Sequence, residues 1–98
     1  MYKVIEEDVK YVIVTKCAGS DKRKYEFVSE LAHEFKGMKQ VIGYADLERA
    51  LHFDTLEDAK RTLASQPEWV KGFHDIIPFE RRSWGECYTI LGATRYSV

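Results

Sequence analysis

The sequence predicts a small α+β domain, an antiparallel sheet of four or five strands packed against one or two helices. Three observations carry that reading. Short runs rich in β-branched and aromatic residues recur at 10–16, 40–44, 73–79 and 86–91. One segment, from Thr55 onward, changes its apolar period from two to 3.6. The whole is 98 residues, 45% hydrophobic and 32% charged, a single α+β domain over 1–98 that hides roughly 60 to 70% of its unfolded surface.

Residues 10–16 (Lys10, Tyr11, Val12, Ile13, Val14, Thr15, Lys16) form a short β-branched run bounded by charges, as a well-buried strand requires. Residues 18–21 (Ala18, Gly19, Ser20, Asp21) read as a turn. In the next segment Phe27, Val28, Leu31, Ala32 and Phe35 stand at helical spacing, with Asp21 placed to cap and Gly37 to stop, which favours a helix over 24–36. Tyr25 and Phe27 also alternate, so a hairpin strand is the competing assignment. Residues 40–44 follow a glycine-containing break and read as a strand. After a turn at 46–49, Leu51 and Phe53 point one way and His52 the other.

The run from Leu47 to Leu63 is the most legible part of the chain. Thr55 with Asp58 three residues on has the layout of a capping box, and Glu57 and Asp58 suit the positive end of the helix dipole. Leu56, Ala59 and Leu63 make the buried stripe of a helix over 55–65, and Glu57 can reach Arg61 on the wet side. Pro67 ends that helix and opens one extra turn closed by Gly72, with Trp69 folded beneath it. Residues 73–79 form a strand whose Pro78 belongs at a sheet edge or outside the ladder. Residues 80–85 connect it to a returning strand over 86–91.

Fifteen basic against 16 acidic residues give a formal net charge of −1. Long-range attraction to nucleic acid or an anionic membrane is therefore weak, and a DNA-mimicking inhibitor would need far denser negative charge. The N-terminal residues lack the apolar core of a signal peptide, and no stretch reaches the roughly 18 apolar residues of a membrane span. The expected compartment is the cytoplasm, and Cys17 and Cys87, 70 positions apart, read as reduced thiols.

No reaction is written into the chain. His33, His52 and His74 with Cys17 and Cys87 lack the short spacings of zinc ligands, so no metal is expected. His74 and Asp75 are neighbours on a strand and point to opposite faces, which removes a base with its orienting carboxylate. Neither Cys17, Cys87 nor Ser83 sits in a nucleophile motif. The scattered glycines form no phosphate loop. The expectation is a protein that is not an enzyme and takes no cofactor.

The surface carries more information. Lys22, Arg23 and Lys24 form one basic cluster. Arg81 and Arg82 beside Trp84, and near Tyr88, form another. Arginine, tryptophan and tyrosine are the residues that dominate protein–protein hot spots. The same set could stack single-stranded bases, but neutral overall charge gives that alternative little counterion-release affinity. Tyr2, Tyr25, Tyr44, Trp84, Tyr88 and Tyr96 exceed what a small core hides, while Tyr11, Phe27, Phe35, Phe53, Phe73 and Phe79 are mostly assigned to it. Arg81, Arg82, Trp84 and Tyr88 are thus the expected partner-binding residues. The partner would be another protein, with a homodimer as a second arrangement and nucleic acid the weaker alternative.

The pattern Ala50-x-x-Phe53-x-Thr55-x-x-x-Ala59, preceded by the Tyr11-Val12-Ile13 strand, resembles one met in small accessory proteins of tailed bacteriophages. The resemblance spans 10–16 and 44–63, about a quarter of the chain, and it is a folding motif with no catalytic residue to carry over. It implies a context, a small protein made in an infected bacterium to bind and redirect or inhibit a host protein, acting in the host cytoplasm.

Overall fold

The computed structural model describes residues 9–17, 25–32, 37, 40–82, 87–90 and 94–98, the side chains of 81, 82 and 87–90 excepted. Along the chain run β1 (Val9–Thr15), β2 (Phe27–Ala32), β3 (Val41–Ala45), α1 (Leu56–Ala64), α2 (Glu68–Phe73), β4 (His74–Arg82) and β5 (Cys87–Ile90). The strands form one antiparallel sheet in the order β3-β2-β1-β4-β5, with both helices against it. The α+β class is the one the sequence predicts.

β1 is the centre of the sheet and pairs with β4 along its whole length, from Val9 opposite Glu80 to Thr15 opposite His74. Its other edge is divided. Val14 pairs with Phe27 of β2, whereas Tyr11 exchanges two backbone hydrogen bonds of 2.8 Å with Phe53. The same extended piece donates from Leu51 N–H to the Val28 carbonyl at 2.9 Å. Residues 51–53 therefore sit as a wedge between β1 and β2, and β2 leans outward around them.

Both faces of β1 are covered. On one face Val12, Val14, Phe27, Ile77 and Phe79 pack with Leu47 and Ala50 of the turn after β3. On the other, Ile13, Val28 and Ile76 pack against Ala59 and Leu63 of α1 and Val70 of α2, with Phe53, Leu56 and Tyr96 around them. This two-sided burial explains why residues 27–32 take the competing strand assignment and not the favoured helix. Phe27 serves one cluster and its neighbour Val28 the other. A strand buried on both sides loses its polar alternation and can imitate helical spacing.

α1 forms as its local signals require. Thr55 is extended at the N-cap, and its hydroxyl accepts the Asp58 N–H at 3.1 Å. The ion pair on the wet side is Asp58 with Arg61 at 3.3 Å rather than Glu57 with Arg61. α2 follows directly, with Pro67 as its N-cap and Gly72 inside the helix rather than closing it. Phe73 is the last residue of that helix, so β4 begins one residue later than expected.

Pro78 lies inside the β1–β4 pairing, opposite Tyr11. Tyr11 directs both backbone groups at Phe53, on its other side, so the rung shared with Pro78 is of the non-hydrogen-bonded kind. The missing N–H of Pro78 thus costs that ladder nothing. Glycine acts at one irregularity. The β2–β3 register shifts between Val28 and Glu30, and a Cβ on the facing Gly43 would meet Glu30 Cβ at 3.0 Å. The bulge bends and twists the strand pair, and a side chain at position 43 would crowd those of Ser29 and Glu30, which would have to shift.

Candidate functional site

Helix α2 and the strand ends around it hold the most unusual chemistry among the described residues. His74 is the C-cap of α2 and the first residue of β4, and it is buried. Its Nδ1 lies 2.7 Å from the Val70 carbonyl, and its Nε2 lies 2.8 Å from the Tyr44 hydroxyl. A carbonyl only accepts, so Nδ1 carries the proton and Nε2 accepts from Tyr44 in the neutral ring. The two rings stack, 5.8 Å between centroids and 10° between planes. Burial pushes the Tyr44 phenol above its ordinary value, which keeps it protonated and a donor at neutral pH.

This pair is a clamp. Nδ1–H satisfies one of the carbonyls that the end of α2 leaves without an intrahelical partner, while Nε2 ties β4 to β3 across two intervening strands. With both nitrogens engaged, the imidazole has no position left to take a proton from a substrate. Asp75, the neighbour, faces the other way, with Arg95 Nη1 at 3.6 Å from its carboxylate. His52 also lies apart from His74. Its Nε2 donates to the Leu47 carbonyl at 2.6 Å, and its ring sits 4.7 Å from that of Phe79, on the opposite face of the sheet.

The same region exposes large apolar surface. Trp69 is 53% exposed and Phe73 64%, and their spacing of four puts them on one face of α2. Neither the expectation that Trp69 folds under the turn nor the assignment of Phe73 to the core holds. A helix of six residues presents only one side to the sheet, and Val70 takes it. Tyr25, 65% exposed, stands at the same end of the sheet. Phe73 C=O accepts from Lys16 N–H at 2.8 Å, and the Glu26 carbonyl beside Tyr25 accepts from Thr15 N–H at 3.2 Å.

Of the residues singled out from the sequence, Arg81 and Tyr88 face each other on β4 and β5, and Arg82 pairs with Cys87 on the next rung. The hairpin thus brings three of the four backbones together. Trp84 lies outside the described residues, as do Lys22, Arg23, Lys24, His33 and Phe35. The exposure of Trp69 and Phe73 has a visible signal in the sequence, an i, i+4 spacing beside a single buried valine. The Tyr44–His74 contact spans 30 positions and has no local signature. No helix among the described residues is long and apolar enough to cross a membrane. Compared with protein-family models, curated proteins and solved structures, the chain matches none.

Proposed function

We propose that this chain is a stoichiometric protein-binding module rather than an enzyme, and that α2 presents its main contact surface. The observation that carries the reading is the pair Trp69 and Phe73, both more than half exposed on one helix face. Tryptophan is a leading hot-spot residue, and large exposed aromatic side chains grouped together mark interaction sites more often than isolated ones do. The helix that bears them is held in place by Val70 beneath and by the His74 clamp at its end, so the surface is preorganised. The β4–β5 hairpin with Arg81, Arg82, Trp84 and Tyr88 is a second surface for the same function. The resemblance to small phage accessory proteins supplies the finer proposal, a modulator or inhibitor of a host enzyme or defence system in the host cytoplasm.

Affinity capture from bacterial lysate, with a single protein prey expected, tests the class of function. Trp69→Ala with Phe73→Ala should remove that prey and leave the melting temperature nearly unchanged, since neither side chain is core. Loss in Arg82→Ala with Trp84→Ala, and retention in the first pair, would move the contact to the hairpin. Absence of a prey together with steeply salt-dependent binding of single-stranded oligonucleotides would replace the reading with nucleic-acid binding.

A further inference from the structure

The two flanks of the sheet are finished differently. On the β4 side, Ile76 exchanges two backbone hydrogen bonds of 2.8 Å with Tyr96 of the C-terminal segment, and β5 takes over from Phe79 onward. On the β2 side, β3 ends the sheet, with β2 as its one strand neighbour among the described residues. β3 reads Val41, Ile42, Gly43, Tyr44, Ala45. It contains no charge and no proline, two of the devices by which edge strands resist pairing with another chain, although it is short and faces the bulge of β2.

The direction of the free backbone groups follows from bonds already described. Val28 spends its carbonyl on Leu51, on the far edge of β2. Residues paired across an antiparallel ladder share one bonding type, so the Val28–Tyr44 rung is non-hydrogen-bonded. Tyr44 therefore directs its own N–H and C=O outward, away from β2. Ile42, two residues before it, does the same. Uncovered among the described residues, the edge thus offers a donor and an acceptor at Ile42 and again at Tyr44.

We infer that this edge pairs with β3 of a second copy of the chain, antiparallel and centred on Gly43. In that register Ile42 of each copy faces Tyr44 of the other, and a hydrogen-bonded rung needs outward groups on both of its members. All four groups of each copy are then satisfied by the same four groups of its mate, which is the self-complementarity a two-fold interface requires. The side chains agree. Ile42 lies across from Tyr44 of the second copy as an aliphatic–aromatic cross-strand pair, and Val41 lies across from Ala45. The glycines meet at the centre, where no side chain protrudes. The product is one continuous sheet through both subunits, built without Trp69 or Phe73, so this inference stands or falls separately from the proposed function.

Sedimentation of the full chain over a range of concentrations, with amide hydrogen exchange followed at Ile42 and Tyr44, tests it. The expected result is a reversible dimer in which both amides gain at least tenfold protection as the dimer fills. Ile42→Pro removes the outward-facing N–H, together with part of a side chain that packs against the core, and should leave a folded monomer, while Ile42→Val, the control for lost side-chain volume, should still dimerise. A wild-type chain that stays monomeric at the highest concentrations, with both amides exchanging freely, overturns the inference, as does a dimer that survives Ile42→Pro. Should the proline variant fail to fold, the concentration dependence of the two wild-type amides decides alone.

Discussion

The two faces of β1 are buried equally well but closed by different means. One is covered by two helices, through Ala59, Leu63 and Val70. The other, among the described residues, is covered by a turn, through Leu47 and Ala50, with His52 against Phe79. Regular structure spreads its packing over several positions fixed by one backbone ladder. A turn depends on one anchor, here Leu47, held by Asp46 accepting backbone N–H bonds from Arg49 and Ala50 at 3.2 and 3.1 Å. Equal burial therefore does not mean equal resistance to change.

Leucine truncation on each face measures that difference directly. Leu63 and Leu47 are both essentially buried, and a buried Leu→Ala change costs about 2 to 5 kcal/mol, depending on how far the site collapses. Leu63→Ala leaves a cavity between a helix and a sheet that cannot close, so its loss belongs at about 4 kcal/mol or more. Leu47→Ala sits on a turn that can settle inward, and about 2 kcal/mol is expected. Chemical denaturation of the two variants checks the order. Equal losses would mean the turn is as rigid as the helix.

A smaller effect separates the polar closures of the two faces. Tyr44→Phe keeps the stacked ring but takes the donor from His74 Nε2, and leaving a buried acceptor unmet costs about 1 to 3 kcal/mol. The counterpart on the turn side, His52→Phe, removes an exposed donor to the Leu47 carbonyl and should cost no more than about 1 kcal/mol. Thermal melts of the pair decide it. If His52→Phe is the costlier change, the turn rather than the helical side is held by its histidine.

The same contrast explains what was legible in the sequence. Thr55, Leu56, Ala59 and Leu63 lie within one helix, so capping and periodicity located it from neighbours alone. β1, β3 and β4 were visible as β-branched runs. β2 was legible only as the competing assignment, through the alternation of Tyr25 and Phe27, because Phe27 and Val28 are buried on opposite faces and helical spacing masks the strand. The turn-side core was silent, since Leu47 gains its importance only from Val12, Phe27 and Phe79, which reach it through the fold. Within the candidate site, Trp69 and Phe73 had a readable spacing but were assigned inward. Nothing local could show that a one-sided helix spends its buried face on Val70. The pairing of Tyr44 with His74 joins residues 30 positions apart, which no spacing rule encodes.

The smallest expected effect lies where the two faces meet. Lys10 of β1 donates to Asp54 at 2.7 Å, tying the central strand to the residue just before the N-cap of α1. That hydrogen bond, with the lysine charge behind it, holds the Asp54 carboxyl below its ordinary value. A carboxylate depressed in the folded state adds stability above its unfolded value, and the contribution is lost as pH falls through the folded one. The pair is solvent-exposed on the Asp54 side and so weakened by salt. Asp54→Asn should therefore leave neutral-pH stability almost unchanged and flatten the acid limb of the stability profile slightly, more visibly at low ionic strength. Carboxyl titration by NMR reads the same group without mutation. An Asp54 that titrates at its ordinary value would show that β1 and the start of α1 are joined by the Tyr11–Phe53 backbone bonds and the apolar packing around Ile13, without help from this ion pair.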